Sequence, residues 1–95
     1  MKKILVIGAG RSAVTLIKYL LDNSIANNWL VTVADFSIEL AEKAVANHTN
    51  GKAILFNVTD EIQRKYEIGN ADIVISMLPA SLHITVAKDC ISLVK

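Results

Sequence analysis

The sequence predicts a doubly wound α/β domain, with helices on both faces of a parallel sheet. Three observations predict it. Short β-branched runs alternate with helix-period segments along the whole chain. The first run ends at Gly8-Ala9-Gly10, directly before a helical pattern. Each pair of runs is separated by a crossover long enough to bring the next strand back parallel, and such connections are right-handed.

Lys3–Ile7 reads as a first strand, and its unbroken apolar stretch Ile4–Ile7 is as expected for a central strand covered on both faces. Ser12–Asn23 reads as a helix whose buried stripe is Ala13, Ile17, Leu20 and Leu21. Leu30–Ala34 is a second strand. Ser37 is placed to cap a helix that runs through Ala46 and buries Ile38, Ala41 and Val45. Asn50-Gly51 signals a turn, and Ala53–Asn57 a third strand. Thr59 or Asp60 caps a short helix to about Tyr66, with Asp60 and Glu61 favouring the positive end of its dipole and Gly69-Asn70 stopping it. Ile73–Ser76 is a fourth strand. Pro79 opens a turn, and Ser81 caps a last helix lined by Ile84, Ala87, Ile91 and Val94. The expected strand order is 3-2-1-4, an incomplete doubly wound sheet.

Bulk properties narrow the function classes. A chain of 95 residues with 53% hydrophobic and 20% charged residues is one globular domain. The net charge of +1, with no basic run, gives no pointer to nucleic acid or to a membrane surface. Lys2-Lys3 precedes an apolar run of only four residues, too short for a signal peptide or a membrane span. The lone Cys90 has no internal partner and reads as a small buried apolar residue. A cytoplasmic location is expected, and the sequons at Asn47 and Asn57 are discounted accordingly.

The chemistry concentrates in Gly8-Ala9-Gly10-Arg11-Ser12-Ala13. A glycine pattern alone is weak evidence, but this one follows a strand and opens a helix inside a β-α-β unit. Gly8 permits the tight turn, Gly10 lets a pyrophosphate approach the backbone, and Ala13 replaces the third glycine of a Rossmann fingerprint. The N–H groups of the first helical turn then face the phosphates, and Arg11 and Ser12 can add side-chain donors. Asp35 follows Ala13 by 22 positions, at the end of strand two. A carboxylate there accepts from the adenosine ribose diol and repels a 2′-phosphate. Phe36 and Ser37 come next, with no Arg or Lys to pair such a phosphate, so NAD is expected ahead of NADP. Topology adds Asn57 and Val58 on the adenine side, and Ser76, Leu78 and Pro79 at the switch point beside strand one.

Each residue also has a structural reading. Gly8–Ala13 is then a turn that binds nothing, Asp35 a helix cap, and Val58 and Leu78 ordinary core. His48 reads as a solvated turn residue, and Trp29 and Tyr19 as core or helix-flank residues. His83, near where a nicotinamide ring would come, lacks a paired carboxylate in sequence, and no catalytic or metal-binding residue is assigned.

Three segments, Ile4–Ala13, Phe56-Asn57-Val58-Thr59-Asp60 and Ala71–Pro79 followed by His83, resemble the N-terminal part of the saccharopine dehydrogenase family. The Ser76-x-x-Pro79-x-x-x-His83 element is the most specific of them. The resemblance implies an NAD(P)-dependent oxidoreductase acting on a CH–NH bond. Its glutamate-forming type oxidises saccharopine, an amino-acid-derived substrate of lysine metabolism, to glutamate and aminoadipate semialdehyde. It further implies that Gly8, Gly10, Arg11 and Ser12 hold the pyrophosphate, Asp35 the ribose, Val58 the adenine side, and Ser76, Leu78 and Pro79 the nicotinamide half. Relatives that make carboxynorspermidine and homospermidine leave the substrate open.

The family's nucleotide domain continues into further strands and a substrate domain, whereas this sequence stops at Lys95. It therefore reads over 1–95 as a dinucleotide-binding fragment, inactive alone, whose fourth strand has an apolar edge that favours self-association. An NAD-sensing regulatory domain, such as those of potassium transport systems, is the alternative. It shares the glycine loop but does not need the Ser76–Pro79 element. A methyltransferase binding S-adenosylmethionine is the third class, and the compact glycine spacing favours a pyrophosphate over it.

Overall fold

The computed structural model describes residues 1–78 and 86–90, with the backbone alone at Arg11 and Ser12. Its sheet contains β1 (Lys2–Ile7), β2 (Trp29–Asp35), β3 (Gly51–Leu55) and β4 (Ile73–Ser76) in the order β3-β2-β1-β4, as the alternation of runs predicts. Every pairing is parallel, with Ile4 opposite both Val31 and Ile73.

Strand alternation divides the core into two layers. On one face, Ile4, Val6, Val31 and Val33 pack with Ala13, Ile17, Leu20 and Leu21 of α1 (Arg11–Asp22) and Ala41 and Val45 of α3 (Ile38–Val45). On the other, Leu5, Ile7, Ala34 and Phe56 pack with Ile68 of α4 (Glu61–Asn70) and Val86 of the helical residues 86–90. Helices on both faces explain why β1 is apolar at every position from Ile4 to Ile7.

Several boundaries differ from expectation. A short helix α2 (Ser24–Asn27) follows α1. It has no apolar stripe to announce it, and buried Ser24 donates back to the Leu21 carbonyl at 2.7 Å. β3 begins at Gly51 instead of Ala53 and ends before Asn57. Asn57 leaves the ladder because its Oδ1 accepts from both the N–H and the hydroxyl of Thr59 (3.0 and 2.7 Å), closing a local turn. α4 runs through Gly69 to Asn70, since the fully buried Ile68 holds the last turn against the sheet. Asp60 caps it, accepting from the Gln63 N–H at 3.1 Å. Ser37 caps α3 as expected.

Of the expected apolar line only Ala87 is among the described residues, and it is exposed, the buried positions of residues 86–90 being Val86 and Asp89. Ile84, Ile91, Val94 and Ser81 lie outside the described residues. Cys90 is half-buried against the second core layer. Trp29 is half-buried against the first, and Tyr19 lies exposed on a helix flank. His48 is half-buried rather than solvated, and its Nδ1 accepts from the Asn50 N–H at 3.0 Å.

Gln63 performs an unusual task. Its Nε2 donates to the Leu55 carbonyl at 2.8 Å while its Oε1 accepts from the Asn57 N–H at 3.1 Å. These are the groups β3 turns away from β2, because Phe56 N–H, between them, donates to the Asp35 carbonyl.

Candidate functional site

The strand ends carry the site. β1 leaves the sheet into Gly8, whose φ of +106° suits a residue without Cβ. Gly8 N–H donates to the Ala34 carbonyl at 2.7 Å, and a Cβ on Gly8 would meet the Met77 carbonyl oxygen at 3.2 Å. The turn is therefore wedged between the exits of β2 and β4. Gly10 differs: a Cβ there would meet nothing within 4 Å. Open space lies over Gly10, and among the described residues no side chain caps α1. The helix begins as an exposed positive dipole end suited to an anion. Ala13 is 1% exposed, its N–H donates to the Gly10 carbonyl at 2.9 Å, and its small side chain lets α1 pack close to the sheet.

Asp35 organises the turn. Its Oδ1 accepts from the Ala9 N–H and its Oδ2 from the Ser37 N–H, both at 2.8 Å. The helix cap itself is Ser37, so the plain capping role does not account for Asp35. Each carboxylate oxygen keeps acceptor capacity after one backbone bond.

Beside Asp35 lies a cavity of about 380 Å³, lined by Asp35, Phe36, Phe56, Asn57, Val58, Thr59 and Leu78. It falls within the size range of small-molecule sites. Five residues singled out in the sequence, Asp35, Phe36, Asn57, Val58 and Leu78, thus meet at one place. Phe36 is 76% exposed, an aromatic face left open at the rim. Phe56 and Thr59 line the same cavity and were missed. In sequence Phe56 is a residue of the expected third strand and Thr59 a candidate cap, so neither carries a separate signal. Ser76 sits opposite Ile7 in the ladder, half-buried, and is not among the cavity's lining residues. Pro79 and His83 lie outside the described residues, as do the side chains of Arg11 and Ser12.

The comparisons with known proteins fit this arrangement. The family model described as "Saccharopine dehydrogenase NADP binding domain" matches residues 4–93. The chain belongs to this family. Among curated members, the saccharopine dehydrogenase [NADP(+), L-glutamate-forming] of Schizosaccharomyces pombe is 34% identical over 91 residues, covering 96% of this chain and 20% of that protein. Among solved structures, the apo, histidine-tagged saccharopine dehydrogenase (L-Glu forming) from Saccharomyces cerevisiae superposes with a TM-score of 0.88 at 29% identity, covering all of this chain and 20% of that one. A Rossmann-fold NAD(P)-binding family protein from Shigella flexneri shares the fold alone, with a TM-score of 0.72 at 21% identity over 97% of this chain and 47% of that one. The chain thus spans about a fifth of the length of the saccharopine dehydrogenases it matches. Among the described residues, no helix is long and apolar enough to cross a membrane.

Proposed function

We propose that this chain is the cofactor-holding part of an oxidoreductase acting on CH–NH bonds, specifically a saccharopine dehydrogenase of the glutamate-forming type. The observation that carries the reading is the Asp35 carboxylate, which fastens the glycine turn to β2 and lines the cavity beside Phe36 and Val58. A nicotinamide dinucleotide fits these residues. Its pyrophosphate would lie over Gly10 at the start of α1, where Arg11 and Ser12 add donors. The adenosine would lie against Phe36, Asn57 and Val58, with its ribose on Asp35 and its nicotinamide half toward Ser76, Leu78 and Pro79. When bound, the nicotinamide supplies hydride transfer. The residues of this chain bind and orient it, and the substrate site is assigned to other parts of the enzyme.

The same carboxylate supports NAD over NADP. A 2′-phosphate would meet Asp35 at close range, and neither Phe36 nor Ser37 offers a compensating cation. The family description and the coenzyme named for the fission-yeast relative support NADP instead. Calorimetric titration with NADH, NADPH and S-adenosylmethionine decides between them. The expected outcome is NADH binding about tenfold tighter than NADPH, or about 1.4 kcal/mol. Binding of S-adenosylmethionine in place of both would overturn the reading.

Saccharopine-dependent NADH formation by this chain alone would contradict the division of labour proposed above. The apolar β4, which pairs with β1 alone among the described residues, supports self-association at that edge, and a monomer at all concentrations in sedimentation would refute it. A cytoplasmic setting suits a chain with a single cysteine. The regulatory-domain alternative draws no support from the relatives found.

A further inference from the structure

We propose that Arg64 is a positioning residue for the adenine side of the cofactor site, an inference that rests on the dinucleotide reading above. The cavity wall at Asn57–Thr59 belongs to no strand or helix, and Arg64 holds it from behind. Arg64 Nη1 donates to the Val58 carbonyl at 2.7 Å, and Nε donates to the Asp89 carboxylate from residues 86–90. Both side chains are largely buried, at 11% and 8% exposure. Neither lines the cavity, whereas Val58 does. One guanidinium therefore joins the β3 exit loop, α4 and the last helical segment, with the carbonyl of Val58 turned to the protein and the residue itself presented to the cavity. Neighbouring Gln63 secures Asn57 by accepting from its N–H, so consecutive residues of α4 fix consecutive residues of the loop.

The chemistry requires arginine. Two divergent acceptors are met at fixed angles by a planar fork of N–H donors, which the compact ammonium of lysine does not reproduce. A wall fixed before the ligand arrives spares the ligand the cost of ordering it.

The test compares Arg64→Lys, Asp89→Asn and Asp89→Ala in the full chain, reading amide hydrogen exchange without ligand and the affinities for AMP, nicotinamide mononucleotide and NADH. Asp89→Asn loses the charge, and with it some stability, but keeps an oxygen to accept from Nε, so its exchange at the loop and its AMP affinity are expected to stay within about twofold of the wild type. Arg64→Lys and Asp89→Ala are expected to speed exchange at Asn57, Thr59 and Asp60 and to weaken AMP and NADH alike by about tenfold, sparing nicotinamide mononucleotide. A purely structural role would lower the melting temperature without separating the two half-ligands. Folded Arg64→Lys with unchanged exchange and AMP affinity overturns the proposal. If Arg64→Lys does not fold, the contrast between Asp89→Asn and Asp89→Ala decides it. Wild-type protein that binds none of the ligands refutes the cofactor reading, and exchange alone then decides whether Arg64 holds the loop.

Discussion

The Asp35 carboxylate accepts a hydrogen bond from the Ala9 N–H at 2.8 Å, linking the end of β2 to the glycine turn 26 residues earlier in the chain. Ala9 is only 2% exposed, so this N–H has little access to water. Asp35→Ala strands it and also releases the Ser37 N–H. The expected loss is about 1–3 kcal/mol in denaturant unfolding, together with weaker NADH binding. Unchanged stability would mean that the turn holds itself.

Gly8 and Gly10 separate a glycine that the backbone requires from one that is proposed to face the ligand. Gly8→Ala must adopt φ +106° and press against Met77, so a destabilisation of about 1–3 kcal/mol is expected. Gly10→Ala has ordinary backbone angles and free space, so its melting temperature is expected to stay near wild type or rise slightly. Its dinucleotide affinity is nevertheless expected to fall, because the added methyl occupies the approach to the backbone. Thermal melts paired with calorimetry check both substitutions.

The Arg64–Asp89 pair is costly to break and inexpensive to replace whole. Asp89→Ala leaves a buried guanidinium without its anion, and a loss of about 3–5 kcal/mol is expected. The joint change of Arg64→Met and Asp89→Leu removes both charges and is expected to recover most of that loss. A double-mutant cycle in urea measures the recovery. Near-additive losses would show that the two charges do not depend on each other.

Burial, followed by the neighbouring Asp89 charge, pushes the Cys90 thiol above its ordinary value of 9.0. Its thiolate is therefore scarce at neutral pH, and iodoacetamide labelling is expected to be slow there and to accelerate only in alkaline buffer. For a group whose folded value is raised, the associated stability is complete below the unfolded value and declines as pH rises through the folded one. Stability is expected to fall on the alkaline side above about pH 9, and Cys90→Ala removes that component. Fast labelling at neutral pH would contradict the assignment.

Much of this arrangement was legible because local chemistry and tertiary demand agree. The Ile4–Ile7 run, the glycines after it and the carboxylate at position 35 each fix a local geometry, and together they imply a parallel sheet with one loaded edge. Asp35 was legible as a candidate site residue but its hydrogen bond to Ala9 was not, because no spacing rule links those two positions. α2 and the full length of α4 escaped for opposite reasons: the first has no buried stripe, and the second is held through a glycine by Ile68. Arg64 and Asp89 escaped because each resembles an ordinary surface charge until the fold buries them together.

The Gln63 side chain gives the sheet a direction of growth. Its amide group occupies the place that one peptide unit of a neighbouring strand would take beside Leu55 and Asn57, so at that end the β3 border is closed by an impostor strand one residue long. The β4 border is not closed by Gln63. Additional strands, whether from a longer chain or from a second copy, are therefore expected beside β4, the side on which the nicotinamide half is proposed to lie, with β3 and the proposed adenine side at the outer margin.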